Sequence, residues 1–291
     1  MILLILFIYL YKKLFPLREP EGFSQNEKFL VKYNNDIYND EFYVENYDDI
    51  NETKKRLNIE IVTIIKTTDA DEEHSFFLDI GSGTGYAVKE LNDLGYNAFG
   101  VDQSQTMVSY SEKKYPKASY KCGNVGESML FEKGSFTHVL SLYFTIYQFK
   151  DKIAFFRNCY HWLQPGGYLV VHLVDSEKFD MSPPSSKHVL FGSPKLIGDE
   201  RNKDSIVDFT HYRYKSSWQK KGGKDTIVLT ETFQNKNNSN IRQNEQTLYM
   251  EKIPDIISSA VYSGFTMKSL VNLKSSTMDE YQYLYFFERM L

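Results

Sequence analysis

Cysteine is scarce: Cys122 and Cys159 are the only two in 291 residues, and they do not share C-x-x-C spacing. A disulfide framework and a cysteine zinc site are therefore not readable, and two reduced, buried thiols are expected. Excess positive charge is missing as well. With 34 Lys plus Arg against 38 Asp plus Glu, the net charge is -4, which supplies no basic surface for phosphate contacts and argues against nucleic acid as a partner. No apolar run is long enough to span a bilayer unaided. The most apolar stretch, 1–11 (MILLILFIYLY), would rise only about 16 Å as a helix, against ~30 Å of hydrocarbon. It matches a cleavable signal poorly, because no positive charge precedes it and no small-residue site follows before Phe15-Pro16. Lys12, Lys13 and Arg18 lie on its C-terminal side, so if segment 1–15 acts as a membrane anchor, the remainder stays cytoplasmic, at the inner face of that membrane. A helix packed on the domain is the competing reading.

What is present is a chain able to fold. Its 42% hydrophobic and 15% aromatic residues, with 25% charged, leave ample apolar surface for a core. Apolar residues recur at helical spacing over 51–66 behind a candidate Asn51 cap, and 75–80 reads as a buried strand. The alternation continues: helix 86–94, strand 97–102, helix 105–115, strand 118–122, strand 137–142, helix 152–163, a Pro165-Gly166-Gly167 turn, and strand 168–174. Such alternation implies a parallel sheet covered on both faces. After Asp175 the texture changes to three antiparallel strands, 206–214, 226–233 and 241–250, with a turn at Lys221-Gly222-Gly223-Lys224. Pro254 then opens a helix over 255–263, Gly264 stops it, and 265–272 and 281–289 read as final strands. The fold class expected is α/β, a doubly wound sheet carrying a small antiparallel β insertion.

Leu78-Asp79-Ile80-Gly81-Ser82-Gly83-Thr84-Gly85 lies between the first strand and its helix, where absent side chains let backbone approach a ligand. A G-x-G-x-x-G dinucleotide fingerprint would need glycine at 86, where this chain has Tyr86. Asp102 ends the second strand and is placed to accept hydrogen bonds from both hydroxyls of a ribose. A nucleoside ligand other than NAD or FAD follows.

These residues resemble the class I S-adenosylmethionine-dependent methyltransferases. Leu78 to Gly85 looks like that family's first motif, Gly100-Val101-Asp102 like its acidic second-strand motif, and Leu163-Gln164-Pro165-Gly166-Gly167 like the turn before its fifth strand. The resemblance implies a Rossmann-like seven-stranded sheet with the last strand antiparallel, and S-adenosyl-L-methionine as cofactor. It implies that Asp79 helps hold the cofactor's amino group, that Gly81, Ser82, Gly83 and Gly85 line its methionyl part, and that Asp102 with Gln103 grips the ribose. Asn124-Val125 stands where the family often has an acidic residue facing the adenine; an amide oxygen still accepts one hydrogen bond, without charge assistance. Ser141 ends the fourth strand, near the transferring methyl. The chain then divides into the apolar segment 1–15, a segment 16–50 over the cofactor site, a core 51–175, a β insertion 176–252 acting as substrate lid, and 253–291 completing the core.

Methyl transfer is an in-line displacement, so the protein mainly aligns the acceptor and excludes water, and no fixed triad is expected. Tyr143 and His172, near strand ends, are the nearest catalytic candidates; packing is the alternative for both. Tyr212, Tyr214 and Arg242 of the insertion are candidate substrate contacts, with an ordinary strand face or a homodimer contact as the competing reading. The activity expected is methyl transfer to a nitrogen or oxygen of a small molecule. The rival readings are a protein or RNA methyltransferase and an inactive cofactor-binding scaffold that holds a partner. No metal is expected.

Overall fold

The computed structural model describes residues 25, 27–186, 204–223 and 225–290. The apolar run at the N-terminus lies outside them. Among the described residues no helix is long and apolar enough to cross a membrane.

The strands are β1 Phe29–Tyr33, β2 Phe76–Ile80, β3 Asn97–Asp102, β4 Ser119–Cys122, β5 Phe136–Ser141, β6 Leu163–Val174, β7 Asp204–Asp208, β8 Tyr212–Lys220, β9 Thr226–Asn235, β10 Ile241–Tyr249, β11 Phe265–Asn272 and β12 Gln282–Arg289. The helices are α1 Asn35–Tyr38, α2 Glu41–Asn51, α3 Thr53–Thr68, α4 Tyr86–Asp93, α5 Gln105–Lys114, α6 Lys152–Trp162, α7 Ile253–Tyr262 and α8 Lys274–Thr277. Side-chain caps begin three of them. Asp40 accepts from Tyr43 N, Ser104 from Met107 N and Asp151 from Ala154 N, each satisfying an orphan N–H of a first turn.

Seven strands form one sheet in the order β11-β12-β6-β5-β2-β3-β4. β2 pairs in parallel with β3 and β5, and β12 lies antiparallel to both β6 and β11. The expected Rossmann-like sheet is thus present, with its last strand reversed. Both faces are covered, so the central strands can be apolar throughout: Leu78, Ile80, Val139, Leu169, Val171 and Leu173 are buried with Trp162 in the main core.

A second sheet of five strands has the order β1-β10-β9-β8-β7. β7 to β10 form an antiparallel meander, and β1 joins its edge in parallel, pairing Phe29–Tyr33 with Ile241–Glu245. Three local expectations need correction. The segment 206–214 is not one strand, because the chain reverses at Phe209–His211, where Phe209 N bonds Tyr212 O. Asn51 is not a cap; it ends α2, and Glu52 in a left-handed conformation (φ 44°) separates α2 from α3. Pro165-Gly166-Gly167 does not stand outside the strand either, since β6 runs through it with a register shift against β5.

Candidate active site

The sheet order reverses between β2 and β5, and in open α/β sheets the crevice at such a switch point, beyond the strand C-termini, is where ligands sit. A cleft of about 880 Å³ opens there. Its floor is Ile80, Gly81 and Gly83 after β2, and Asp102, Gln103 and Ser104 after β3; Val125, Thr145 and Gln148 close one side, and Tyr38 and Tyr47 cover it.

The glycine loop is held to β3 by Gly81 N and Ser82 N, both donating to Val101 O. Its glycines do different work. A Cβ at Gly85 would stand 2.6 Å from the Tyr120 hydroxyl, which donates to Gly85 O, and one at Gly81 would stand 2.7 Å from the Thr145 side chain. At Gly83 the nearest atom would be 4.0 Å away, so this backbone faces open cleft and only glycine leaves that space for a ligand. Asp102 anchors the loop from beneath: one carboxylate oxygen accepts from Gly83 N at 2.9 Å and the other from Ser104 N at 2.8 Å. Each oxygen retains a lone pair for a hydroxyl donor. Burial raises the Asp102 pKa, and those two N–H donors oppose the rise.

Asp79 lies under this floor, 4% exposed, with no hydrogen-bond partner among the described residues. Burial first, and the neighbouring Asp102 second, push its pKa up to about 8, while Arg56 pulls it down. A buried carboxyl this short of positive partners suits an ammonium ligand. The cleft itself offers a hydroxyl acceptor at Asp102 and an open backbone at Gly83, features that fit an adenosyl compound, and the unpaired Asp79 carboxyl lies buried beneath its lining.

The N-terminal helices are fastened over the cleft. Thr84 Oγ1 donates to Asp48 at 2.6 Å, Lys114 pairs with Asp48 at 2.9 Å, and Ser104 Oγ donates to Tyr38 O at 2.7 Å. Beyond Tyr38, Tyr47, Thr145 and Gln148, which line both spaces, lies a second cavity of about 780 Å³ between the two sheets. Tyr43, Tyr143, Tyr214, Trp218 and Glu231 are among its walls.

The sequence-predicted residues distribute unevenly. Gly81, Gly83, Asp102, Gln103 and Val125 line the cleft, whereas Asp79, Ser82, Gly85 and Ser141 are packed around it. Asn124 is exposed and does not line the cleft; its side-chain oxygen accepts from Gly126 N at 2.9 Å. Tyr143 lines the second cavity in a left-handed conformation (φ 53°), donates to Asn51 Oδ1 at 3.1 Å, and carries the Arg56 guanidinium 4.3 Å above its ring. His172 is fully buried against Gln282 Oε1 at 3.1 Å, and burial drives its pKa down to about 3, so it is neutral at working pH. Tyr214 lines the second cavity, but Tyr212 and Arg242 do not. Tyr212 packs on Phe42 and Phe233, and Arg242 pairs with Asp40 and lies 5.2 Å over the Phe42 ring. Sequence reasoning missed Tyr38, Thr145, Gln148 and Glu231. Only the run of tyrosines at 38, 43 and 47 signalled them in advance.

Sheet order, glycine loop and second-strand aspartate together define the Rossmann-like methyltransferase class. Residues 78–171 match the family described as methyltransferase domain. It is similar to a probable S-adenosylmethionine-dependent methyltransferase of Mycolicibacterium smegmatis, 27% identical over 94 residues covering 32% of this chain and 36% of that one. It is also similar to malonyl-[acyl-carrier protein] O-methyltransferase of Halalkalibacterium halodurans, 29% identical over 145 residues, 46% of this chain and 52% of that one. The chain thus spans about half or less of the length of these curated relatives. Among solved structures, an S-adenosylmethionine-dependent methyltransferase from Clostridium acetobutylicum superposes with a TM-score of 0.63 at 16% identity, over 86% of this chain and 98% of that one. That likeness is one of fold.

Proposed function

We propose that the chain transfers a methyl group from S-adenosyl-L-methionine, held in the cleft, to a nitrogen or oxygen of a small molecule held in the adjoining cavity. The observation that carries this reading is the contact of the two spaces across Tyr38, Tyr47, Thr145 and Gln148, at the sheet's switch point. When bound, S-adenosyl-L-methionine supplies an electrophilic methyl carbon on a sulfonium whose leaving group is already activated. Asp102 accepts from the ribose, the Gly81–Gly85 backbone cradles the methionyl part, and Asp79 pairs with its ammonium. The chain's remaining contribution is alignment and exclusion of water, which the buried aromatic walls provide. Neither Tyr143, whose hydroxyl is hydrogen-bonded and whose pKa is raised by burial, nor neutral His172 in its packed site has an obvious base role. In this reading 51–175 and 253–291 form the catalytic core, 16–50 covers the cofactor, and 176–252 supplies the acceptor wall.

Calorimetry with S-adenosyl-L-methionine, followed by a labelled-methyl screen over small amines, alcohols and carboxylic acids, tests the proposal. Saturable binding with transfer to a member of the screen supports it. Absence of cofactor binding rejects it.

A further inference from the structure

Two members of a buried polar row, Ser216 and Glu231, line the second cavity. The register of β8, β9 and β10 sets Ser216, Glu231 and Asn244 side by side on the buried face of the five-stranded sheet. All three side chains are shielded from water, Glu231 at 3% exposure. Ser216 Oγ, Glu231 Oε2 and both amide atoms of Asn244 are buried with no hydrogen-bond partner among the described residues. Glu231 Oε1 accepts from the Tyr214 hydroxyl at 2.8 Å. Among the described residues no Lys or Arg pairs with Glu231.

Buried polar atoms in native folds are almost always hydrogen-bonded, and a buried carboxylate is costly without a cation or several donors. Ser216 and Glu231 stand in the wall of the second cavity, where such unpartnered atoms are short of a ligand. Their surroundings indicate the charge of that ligand. The rings of Tyr43, Tyr47, Tyr143, Tyr214 and Trp218 line the same cavity, and aromatic faces attract cations. A carboxylate among aromatic rings selects an ammonium over a neutral hydroxyl or a second carboxylate. Burial is the largest influence on Glu231 and pushes its pKa up, which is the state a bound cation would relieve.

We propose that Glu231 and Ser216 recognise the acceptor, and that the acceptor is a small molecule bearing a basic amine beside a further polar group. Glu231 Oε2 takes the ammonium, while Ser216 takes the neighbouring group. This deepens the proposed function and rests on it for the role of the cavity.

The test is calorimetry on the full chain at pH 7, with and without saturating S-adenosylhomocysteine. Two matched pairs serve as probes, benzylamine against benzyl alcohol and glucosamine against glucose. In the wild type, at least one amine binds tenfold or more tightly than its partner, and Glu231→Gln abolishes that preference. The near-isosteric variant melts at or above the wild-type temperature, because it removes an unpaired buried charge. Ser216→Ala, a second variant, weakens glucosamine more than benzylamine. Equal binding within both pairs, no binding by any probe, or an amine preference that survives in Glu231→Gln overturns the proposal. Failure of S-adenosylhomocysteine to bind counts against the cofactor reading alone, since the amine preference is still measured on the nucleotide-free chain.

Discussion

Binding of S-adenosyl-L-methionine should expel a proton from Asp79. In the ligand-free protein this carboxyl is 4% exposed, faces Asp102, and has its pKa pushed up to about 8. At pH 7 a group of that pKa is about nine-tenths protonated, whereas the cofactor's amine is mostly an ammonium. Pairing the two returns Asp79 to the ordinary carboxylate range, so about 0.9 proton leaves per cofactor bound. The sign is fixed: a raised pKa in the free fold means that affinity climbs with pH toward about 8, by up to about tenfold per unit, until the ammonium itself begins to lose its proton. For the ligand-free chain the same group removes stability as pH rises from the usual aspartate range toward about 8, since the unfolded chain ionises first. The assay is titration calorimetry at pH 7 in phosphate and in Tris, whose ionisation heats differ; the dependence of the observed heat on buffer counts the protons. Asp79→Asn should lose both the proton release and most of the pH dependence. Equal proton release by wild type and Asp79→Asn would refute the reasoning.

Three further outcomes are expected. Asp102→Ala should weaken cofactor binding by roughly 1.5 to 3 kcal/mol, because a charged acceptor for ribose hydroxyls is lost along with the partner of Gly83 N and Ser104 N; unchanged affinity in calorimetry would exclude the ribose role. Gly83→Ala and Gly85→Ala should separate binding from folding. Gly85→Ala drives a methyl onto Tyr120 and Ser111 at φ 82° and lowers stability by roughly 2 to 4 kcal/mol in denaturant melts, whereas Gly83→Ala, at φ 52° in open space, costs about 1 kcal/mol yet blocks the cofactor. His172, its pKa depressed to about 3 by burial, should show no imidazole titration by NMR between pH 5 and 9; a midpoint near the ordinary histidine value would contradict its packed, neutral assignment.

Much of the seven-stranded sheet was legible because its signals are local. Strand 97–102 and strand 265–272 coincide with β3 and β11, where glycines and a proline punctuate the apolar runs. The parallel order follows from the alternation itself. The β7–β8 reversal was not legible, because Phe209-Thr210-His211 holds neither glycine nor proline, and the α2–α3 break at Glu52 is equally unmarked. At the site, Gly81, Gly83 and Asp102 were visible as a motif. Glu231 was not: a carboxylate in an alternating strand reads as a solvent face, and its burial arises only when the sheet packs over the core. Arg242 looked like a substrate contact for the converse reason, since Asp40, which occupies it, lies far away in the chain.

The parallel pairing of β1 with β10 sets an order of assembly. During synthesis the first partner leaves the ribosome long before the second, and non-local parallel pairing is slow to form. The central strands β2 to β6 can consequently condense before β10, whose Gln246 and Leu248 line the second cavity, has been made.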